Sequence, residues 1–354
     1  MEQITKPISK ILRKEMCDLA MTISYKTNMW NVSPTKKDIS DCFLYLIVSY
    51  AESMNVSYET GLIKLWGFSY DQSDIKENII GNNILAIYNG EIIDTLKTIH
   101  GIEMFEKNIK NNFDLFSFIK RNIAISPIIV SFDTYYCPWS NLFQKYHAFH
   151  YILINDMIKD CFICIESNSK NNEKLPFDGF ENWRGHIFTF KLKKVTPNFF
   201  DYIHTIEEAV CFNKGNLIWN LNKCKEAFFK YNTFENDIKG FGNDFYAMPL
   251  IRSLKQLSDQ RYCFSSGLGY IGKILNINNI FHNAQRSFSN CGELYNYLKM
   301  IIIKQILSNK TDFEKITNII DDIINCETKN IKLIDEALSE LRDGSSRISN
   351  IVEY

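Results

Sequence analysis

The segment that decides the fold runs from Ser126 to Glu166 and reads SPIIVSFDTYYCPWSNLFQKYHAFHYILINDMIKDCFICIE. It contains three short apolar runs, Ile128–Val130, Tyr151–Ile154 and Cys161–Ile165. Apolar runs of this length, bounded by turn residues, are typical of buried strands. The loop between the first two runs contains polar, reactive and aromatic side chains. Because a sheet interior has no room for such groups, the segment predicts strands that present a site at their ends.

Two residues of this segment are placed to form an acid–base pair. His150 immediately precedes the run YILI, and Glu166 follows the run CFICI. If the two strands are antiparallel neighbours joined at 155–160, the start of one lies beside the end of the other. Thiol catalytic centres orient their histidine base in this way. The sequence therefore predicts His150 as a general base and Glu166 as its orienting acid, with Asn155 or Asp156 as alternatives to Glu166.

The loop before His150 offers competing candidates for both the base and the nucleophile. His147 is the competing base, although only His150 is followed directly by a strand that would anchor its ring. Cys137 is an alternative nucleophile. It stands beside Pro138 and Trp139, and a thiol in such a loop is more often packed in a core.

Composition excludes several classes of function. The chain has 354 residues, 45% of them hydrophobic, with 40 Lys and Arg against 41 Asp and Glu. This balance predicts no nucleic-acid partner, and no apolar run approaches the ~18 residues of a membrane span. The start of the chain does not resemble a signal peptide, and the ten cysteines are scattered as reduced thiols usually are, so we expect a cytoplasmic protein. Cys161 and Cys164 lack a second pair at usable spacing, so we expect no metal.

The hydrophobic pattern indicates two regions. Mixed helices and strands extend to about residue 195, and helical periodicity dominates after Pro197. We therefore predict an α+β domain over 1–195 and a mainly helical region over 196–354 that packs on it. Among the earlier helical patterns are 7–26, which contains Cys17, and Asp38–Asn55.

The stretch DTYYCPWSNLFQKYHAFHYILIN, followed by an acid at the end of the next strand, resembles the N-terminal family of butirosin biosynthesis protein H. A later stretch, GFGNDFYAMPLIRSLKQLSDQRYCFSSGLGYIGKIL, is similar to the helical second half of that family, with Arg261 in its arginine-containing helix. The resemblance implies a papain-like, C39-peptidase-like cysteine-protease-type fold. In that fold a cysteine opens a helix near the N-terminus.

The resemblance also implies roles for individual residues. It assigns the nucleophile to Cys17, the general base to His150 and the orienting acid to Glu166. It assigns substrate contacts to the loop through Asp133, Tyr135 and Trp139. On local physics alone, a cysteine within an apolar helical pattern such as that around Cys17 is more often a core residue.

The activity implied by the resemblance is acyl transfer in natural-product biosynthesis. A cysteine acyl-enzyme would take an acyl group from the phosphopantetheine thioester of an acyl or peptidyl carrier protein and pass it to a small-molecule amine. Related enzymes that assemble closthioamide form amide bonds in this manner. No bound cofactor is expected. The alternatives are a cysteine peptidase or amidase, and a non-catalytic binding protein of the same fold. In papain-like hydrolases a glutamine precedes the cysteine by six residues, where this chain has Ile11 before Cys17.

Overall fold

The computed structural model describes residues 30–349 except 38, 40, 72–78, 89, 110, 141, 159, 168, 170, 178–184, 232, 240, 242–243 and 246. These residues divide into two compact units, one formed by 30–57 with 102–193 and the other by 58–101 with 194–349. The predicted boundary at 195 lies close to the observed one, but residues 58–101 group with the helical unit instead of the first domain. The reason is that Trp66, Ile80 and Ile99 lie in one hydrophobic core with the late helices.

The first unit contains a six-stranded antiparallel sheet in the order β3-β8-β4-β5-β6-β7. Its strands are β3 (Ile102–Ile109), β4 (Ile128–Asp133), β5 (Phe149–Ile158), β6 (Cys161–Ile165), β7 (Glu173–Pro176) and β8 (Gly185–Leu192). The three predicted strands of the segment 126–166 are thus confirmed as the neighbouring strands β4, β5 and β6. The second unit contributes the short pair β1 (Ser69–Tyr70) and β2 (Ile84–Leu85).

Two helices of the first unit cover opposite faces of its sheet. Helix α1 (Cys42–Ser53) packs on β5 and β8, where Phe43 contacts Tyr151 with 4.8 Å between ring centroids. Helix α3 (Asn112–Asn122) packs its Leu115 against alternate residues of the same strands, including Ile152. Because neighbouring residues of a strand point to opposite faces, Tyr151 and Ile152 belong to different layers.

Helix α1 is buried on all sides, since every side chain from Leu44 to Ala51 is buried. Such a helix lies within a core and not at its surface. The predicted helix Asp38–Asn55 is therefore shorter, beginning at Cys42, where Asp41 is in an extended conformation and caps the first turn. The edge strand β3 has no counterpart in the sequence analysis, because four of its central side chains are exposed and the alternation that signals a strand is missing.

The second unit is mainly helical. It contains α2 (Ile92–His100), α4 (Phe199–Tyr231), α5 (Glu235–Ile238), α6 (Pro249–Ile274), α7 (Asn278–Ser308) and α8 (Phe313–Ser349). Residues Phe199–Tyr231 form the single helix α4, which runs through Gly215 because a glycine costs a helix only ~1 kcal/mol relative to alanine. The predicted α+β class with a helical C-terminal region is therefore confirmed.

A buried ion pair lies in the core of the second unit. Arg261 of α6 donates from Nε to Glu327 of α8 at 2.6 Å, and neither side chain is exposed to solvent. Trp66 donates to the other carboxylate oxygen at 3.1 Å, and the Tyr295 ring lies 5.0 Å from the guanidinium carbon. The arginine singled out by sequence resemblance thus has a structural partner. Among the helices of the described residues, none is both long and apolar enough to cross a bilayer.

Candidate active site

An acid–base pair lies where β5 begins and β6 ends. Nε2 of His150 is 2.9 Å from Oε2 of Glu166, and both residues are buried. The antiparallel register pairs Leu153 with Ile165, which brings the first residues of β5 next to the residue that follows β6. The predicted meeting of this imidazole with this carboxylate is therefore confirmed.

Cys42 is the first residue of α1 and lies beside this pair. The side chain of Asp41 accepts a hydrogen bond from the amide of Leu44 at 2.8 Å, so the helix begins at the cysteine. At this position the sulfur lies at the positive end of the helix dipole. Cys42 is half-buried, whereas the residues of the helix from Leu44 onward are deep in the core.

The side chains of Cys42 and Glu166 both hydrogen-bond to His150. Because Glu166 contacts Nε2, Nδ1 is the ring nitrogen left for the sulfur. Burial by itself would lower the pKa of His150, but the hydrogen bonds and negative charges of the two neighbours raise it to about 10. The imidazole therefore carries its proton at neutral pH, as it does in the thiolate–imidazolium pairs of thiol enzymes.

Cys42 is not among the nucleophiles predicted from the sequence. The predicted nucleophile, Cys17, and the helix predicted around it lie outside the described residues. Within the described residues, Cys42 is the thiol that hydrogen-bonds to His150. A local signal for it was present, because Asp41 is a good N-cap residue directly before a long apolar run.

Glu166 lies in a closely packed environment. Burial and the negative charge of Glu166 raise the pKa of Tyr45 on α1, and the same two causes raise the pKa of Cys137 to about 12. The Cys137 thiol is fully buried, so the structure favours a packed thiol over a nucleophile at this position. A buried carboxylate costs several kcal/mol unless it is paired, and the protonated ring of His150 supplies a compensating charge.

The competing base, His147, forms a separate pair at the surface. Its Nδ1 lies 2.7 Å from Oδ2 of Asp133, and its ring stacks on Tyr135 with 4.3 Å between centroids. Asp133 also accepts a hydrogen bond from the Tyr135 amide at 3.0 Å, which fixes the turn after β4. Of the residues predicted to contact substrate, Asp133 and Tyr135 therefore lie together, while Trp139 packs against the hydrophobic core below α3.

The alternative orienting residues have other partners. Asn155 lies at an irregularity between β5 and β6, and its side-chain amide donates to the carbonyl of Val32 at 3.1 Å. The carboxylate of Asp156 accepts a hydrogen bond from the amide of Met157 at 2.7 Å. Glu166 is thus the residue of the three that contacts His150.

In the part of the chain that the structure describes, no group of three or more His, Cys, Asp and Glu side chains is arranged so that it could hold a metal ion. Comparison with known proteins finds no family model and no curated protein that matches this chain. The function of this chain is therefore inferred from the geometry around Cys42, His150 and Glu166.

Proposed function

We propose that this chain is a thiol acyltransferase that forms amide bonds, with Cys42 as nucleophile, His150 as general base and Glu166 as the acid that orients the base. The observation that carries this proposal is that one buried imidazole hydrogen-bonds both to a thiol at the start of a helix and to a buried carboxylate. The three positions supply the nucleophile, base and orienting group that covalent acyl transfer requires.

In the first half-reaction, the Cys42 thiolate attacks the carbonyl carbon of a thioester. The tetrahedral intermediate then expels the donor thiolate, which takes the proton held by His150 and leaves as a thiol. One thioester replaces another, so this step is close to balanced in free energy. The protonated state of His150 at neutral pH suits it for the role of acid here.

In the second half-reaction, an amine attacks the acyl group on Cys42, and His150 accepts the proton that the amine loses. Collapse of the intermediate releases the amide and restores the thiolate beside the protonated ring. Conversion of a thioester to an amide is downhill, which drives the cycle. Glu166 holds the ring in place throughout through its contact with Nε2.

The start of α1 supplies a site for the oxyanion of both intermediates. The first amide groups of a helix have no partners within the helix, and their N–H bonds point outward from its N-terminal end. Asp41 caps the amide of Leu44. The amides of Cys42 and Phe43 belong to the same turn and provide donors close to the sulfur. These backbone donors would take the role of the glutamine that precedes the cysteine in papain-like hydrolases, where it donates a hydrogen bond to the oxyanion.

The resemblance described above supports the same reaction class. It implies a papain-like fold in which a cysteine opens a helix, and α1 against an antiparallel sheet agrees with that expectation when Cys42 takes the role assigned to Cys17. By the same resemblance, the donor is a phosphopantetheine thioester on a carrier protein and the acceptor is a small amine of natural-product biosynthesis. A cysteine peptidase or amidase would use the same residues with water as the acceptor.

Acylation by a small thioester tests the proposal directly. The full-length protein is incubated with N-acetylcysteamine thioesters, which mimic the end of phosphopantetheine, and its intact mass is followed with time. We expect one acyl adduct in the wild type and in Cys17→Ala, and none in Cys42→Ala. The exposed Cys211 provides a matched control, because Cys211→Ala should behave as the wild type.

The other outcomes are equally informative. Loss of the adduct in Cys17→Ala with retention in Cys42→Ala would overturn the assignment of the nucleophile. Rapid release of free acid without an added amine would indicate a hydrolase, whereas an adduct that is discharged only by amines indicates transfer. Absence of any adduct in the wild type would leave a binding protein as the better description.

A further inference from the structure

We infer that the rings of Phe43, Phe149, Tyr151 and Phe188 form the binding surface for an uncharged, apolar acyl group attached to Cys42. This inference rests on the proposed acyl-enzyme and specifies the class of its substrate. We call these four side chains the aromatic wall.

The aromatic wall is continuous and begins at the residue after the nucleophile. The Phe43 ring lies 4.8 Å from that of Tyr151 and 4.9 Å from that of Phe188, measured between centroids. The Phe149 ring meets Tyr151 edge-on at 4.9 Å. The negative charge of Cys42 also acts on the Tyr151 phenol, so the wall lies near the sulfur.

The exposure of the wall increases away from the core. Phe188 is 6% exposed, Phe43 and Tyr151 are half-buried, and Phe149 is 63% exposed. An exposed phenylalanine ring keeps apolar surface in water, and covering that surface is favourable. An apolar chain tethered to the sulfur of Cys42 starts beside Phe43 and can lie along the wall towards Phe149. The covalent anchor therefore identifies the occupant of this surface.

The charges near the wall favour a neutral acyl group. Burial, together with the negative charges of Cys42, Glu106 and Asp41, raises the pKa of Tyr151 to about 12. Two carboxylates therefore lie close enough to influence this phenol. An acyl group with its own carboxylate, such as succinyl, would be placed near like charges, which disfavours it. An amine arriving as a cation would meet favourable charges at the same place.

A series of N-acetylcysteamine thioesters tests the inference on the full-length protein. Acetyl, butyryl, hexanoyl and succinyl thioesters are compared by the initial rate at which the mass adduct forms on Cys42. A buried methylene contributes ~0.8 kcal/mol, which corresponds to about fourfold in rate if it is fully realised at the transition state. Hexanoyl should therefore react at least about tenfold faster than acetyl, and succinyl should react more slowly than butyryl.

The variant Phe149→Ala should reduce the hexanoyl-to-acetyl rate ratio at least threefold. Phe105 on β3 is the matched control, because it is another exposed phenylalanine of the same sheet, at 48%, and Phe105→Ala should keep the wild-type ratio. Equal rates for all chain lengths, a succinyl rate equal to that of hexanoyl, or an unchanged ratio in Phe149→Ala would each overturn the aromatic wall alone. Failure of every thioester to modify the wild type would overturn the proposed function and the wall with it.

Discussion

Replacing Glu166 with glutamine should bring the titration of His150 down towards neutral pH. Glutamine keeps the shape of the side chain and can still hydrogen-bond to the ring, but it removes a negative charge 2.9 Å from Nε2. Burial opposes protonation of this ring, while Cys42 and Glu166 favour it. The substitution removes one of the two charged neighbours and leaves the cost of burial unchanged.

The size of the effect follows from the pKa of His150. The pKa rises from 6.5 to about 10. At ~1.4 kcal/mol for each pKa unit, this corresponds to a net preference of about 5 kcal/mol for the protonated ring, after Cys42 and Glu166 have offset the cost of burial. Because the folded-state pKa is raised, this stabilisation is fully present below the unfolded-state pKa of ~6.5. It is lost as the pH rises through about 10. We expect the pKa of His150 in Glu166→Gln to fall by at least one unit.

Nuclear magnetic resonance of histidine side chains measures this directly. The His150 signal is assigned by its disappearance in His150→Gln, and its chemical shift is followed from pH 5 to 10.5. In the wild type the signal should remain that of an imidazolium up to about pH 9, and in Glu166→Gln it should titrate at lower pH. A wild-type ring that titrates near 6.5, or an identical curve in the variant, would refute the buried charge pair on which the proposed chemistry depends.

Three further predictions concern other parts of the chain. Asp41→Ala removes the cap of α1 and should lower the free energy of unfolding in urea by about 1 kcal/mol. Burial lowers the pKa of His100 to about 4, so its contribution to stability is fully present above pH ~6.5 and is lost as the pH falls through about 4. As the pH falls over this range, the free energy of unfolding in urea should therefore decrease by about 3 kcal/mol more in the wild type than in His100→Gln. Glu327→Leu leaves the buried Arg261 cation without its carboxylate and should lower the free energy of unfolding by about 3–5 kcal/mol in the same assay, whereas the double variant with Arg261→Met should recover most of that loss.

The acid–base pair could be predicted from the sequence because its signal is local. His150 and Glu166 stand at the ends of two apolar runs that are close in sequence, and neighbouring antiparallel strands leave few ways to arrange them. The same reasoning gives the class of the fold. It does not predict that residues 58–101 belong to the helical unit. Their apolar side chains pack against the late helices, and no local pattern encodes contacts between residues so far apart in sequence.

The nucleophile could not be chosen from the sequence for a related reason. Cys17 and Cys42 both stand in helical patterns, and each could open a helix. Helix α1 is apolar on all sides, so periodicity does not fix where it begins, and the prediction placed its start at Asp38. In the structure the side chain of Asp41 caps this helix, and Cys42 is its first residue.

The three proposed catalytic groups come from three separate elements, and each element is held by packing and not by a mobile loop. Cys42 begins a helix whose next turns are buried on every side, His150 is the second residue of a strand paired on both edges, and Glu166 follows a strand in the same sheet. A site built on rigid elements keeps its geometry between the two half-reactions, which need the same imidazole first as an acid and then as a base. Since neither half-reaction requires His150 to leave Glu166, a single fixed arrangement is sufficient for the whole cycle. What distinguishes transfer from hydrolysis is then the access of amine and water to the acyl group beside the aromatic wall.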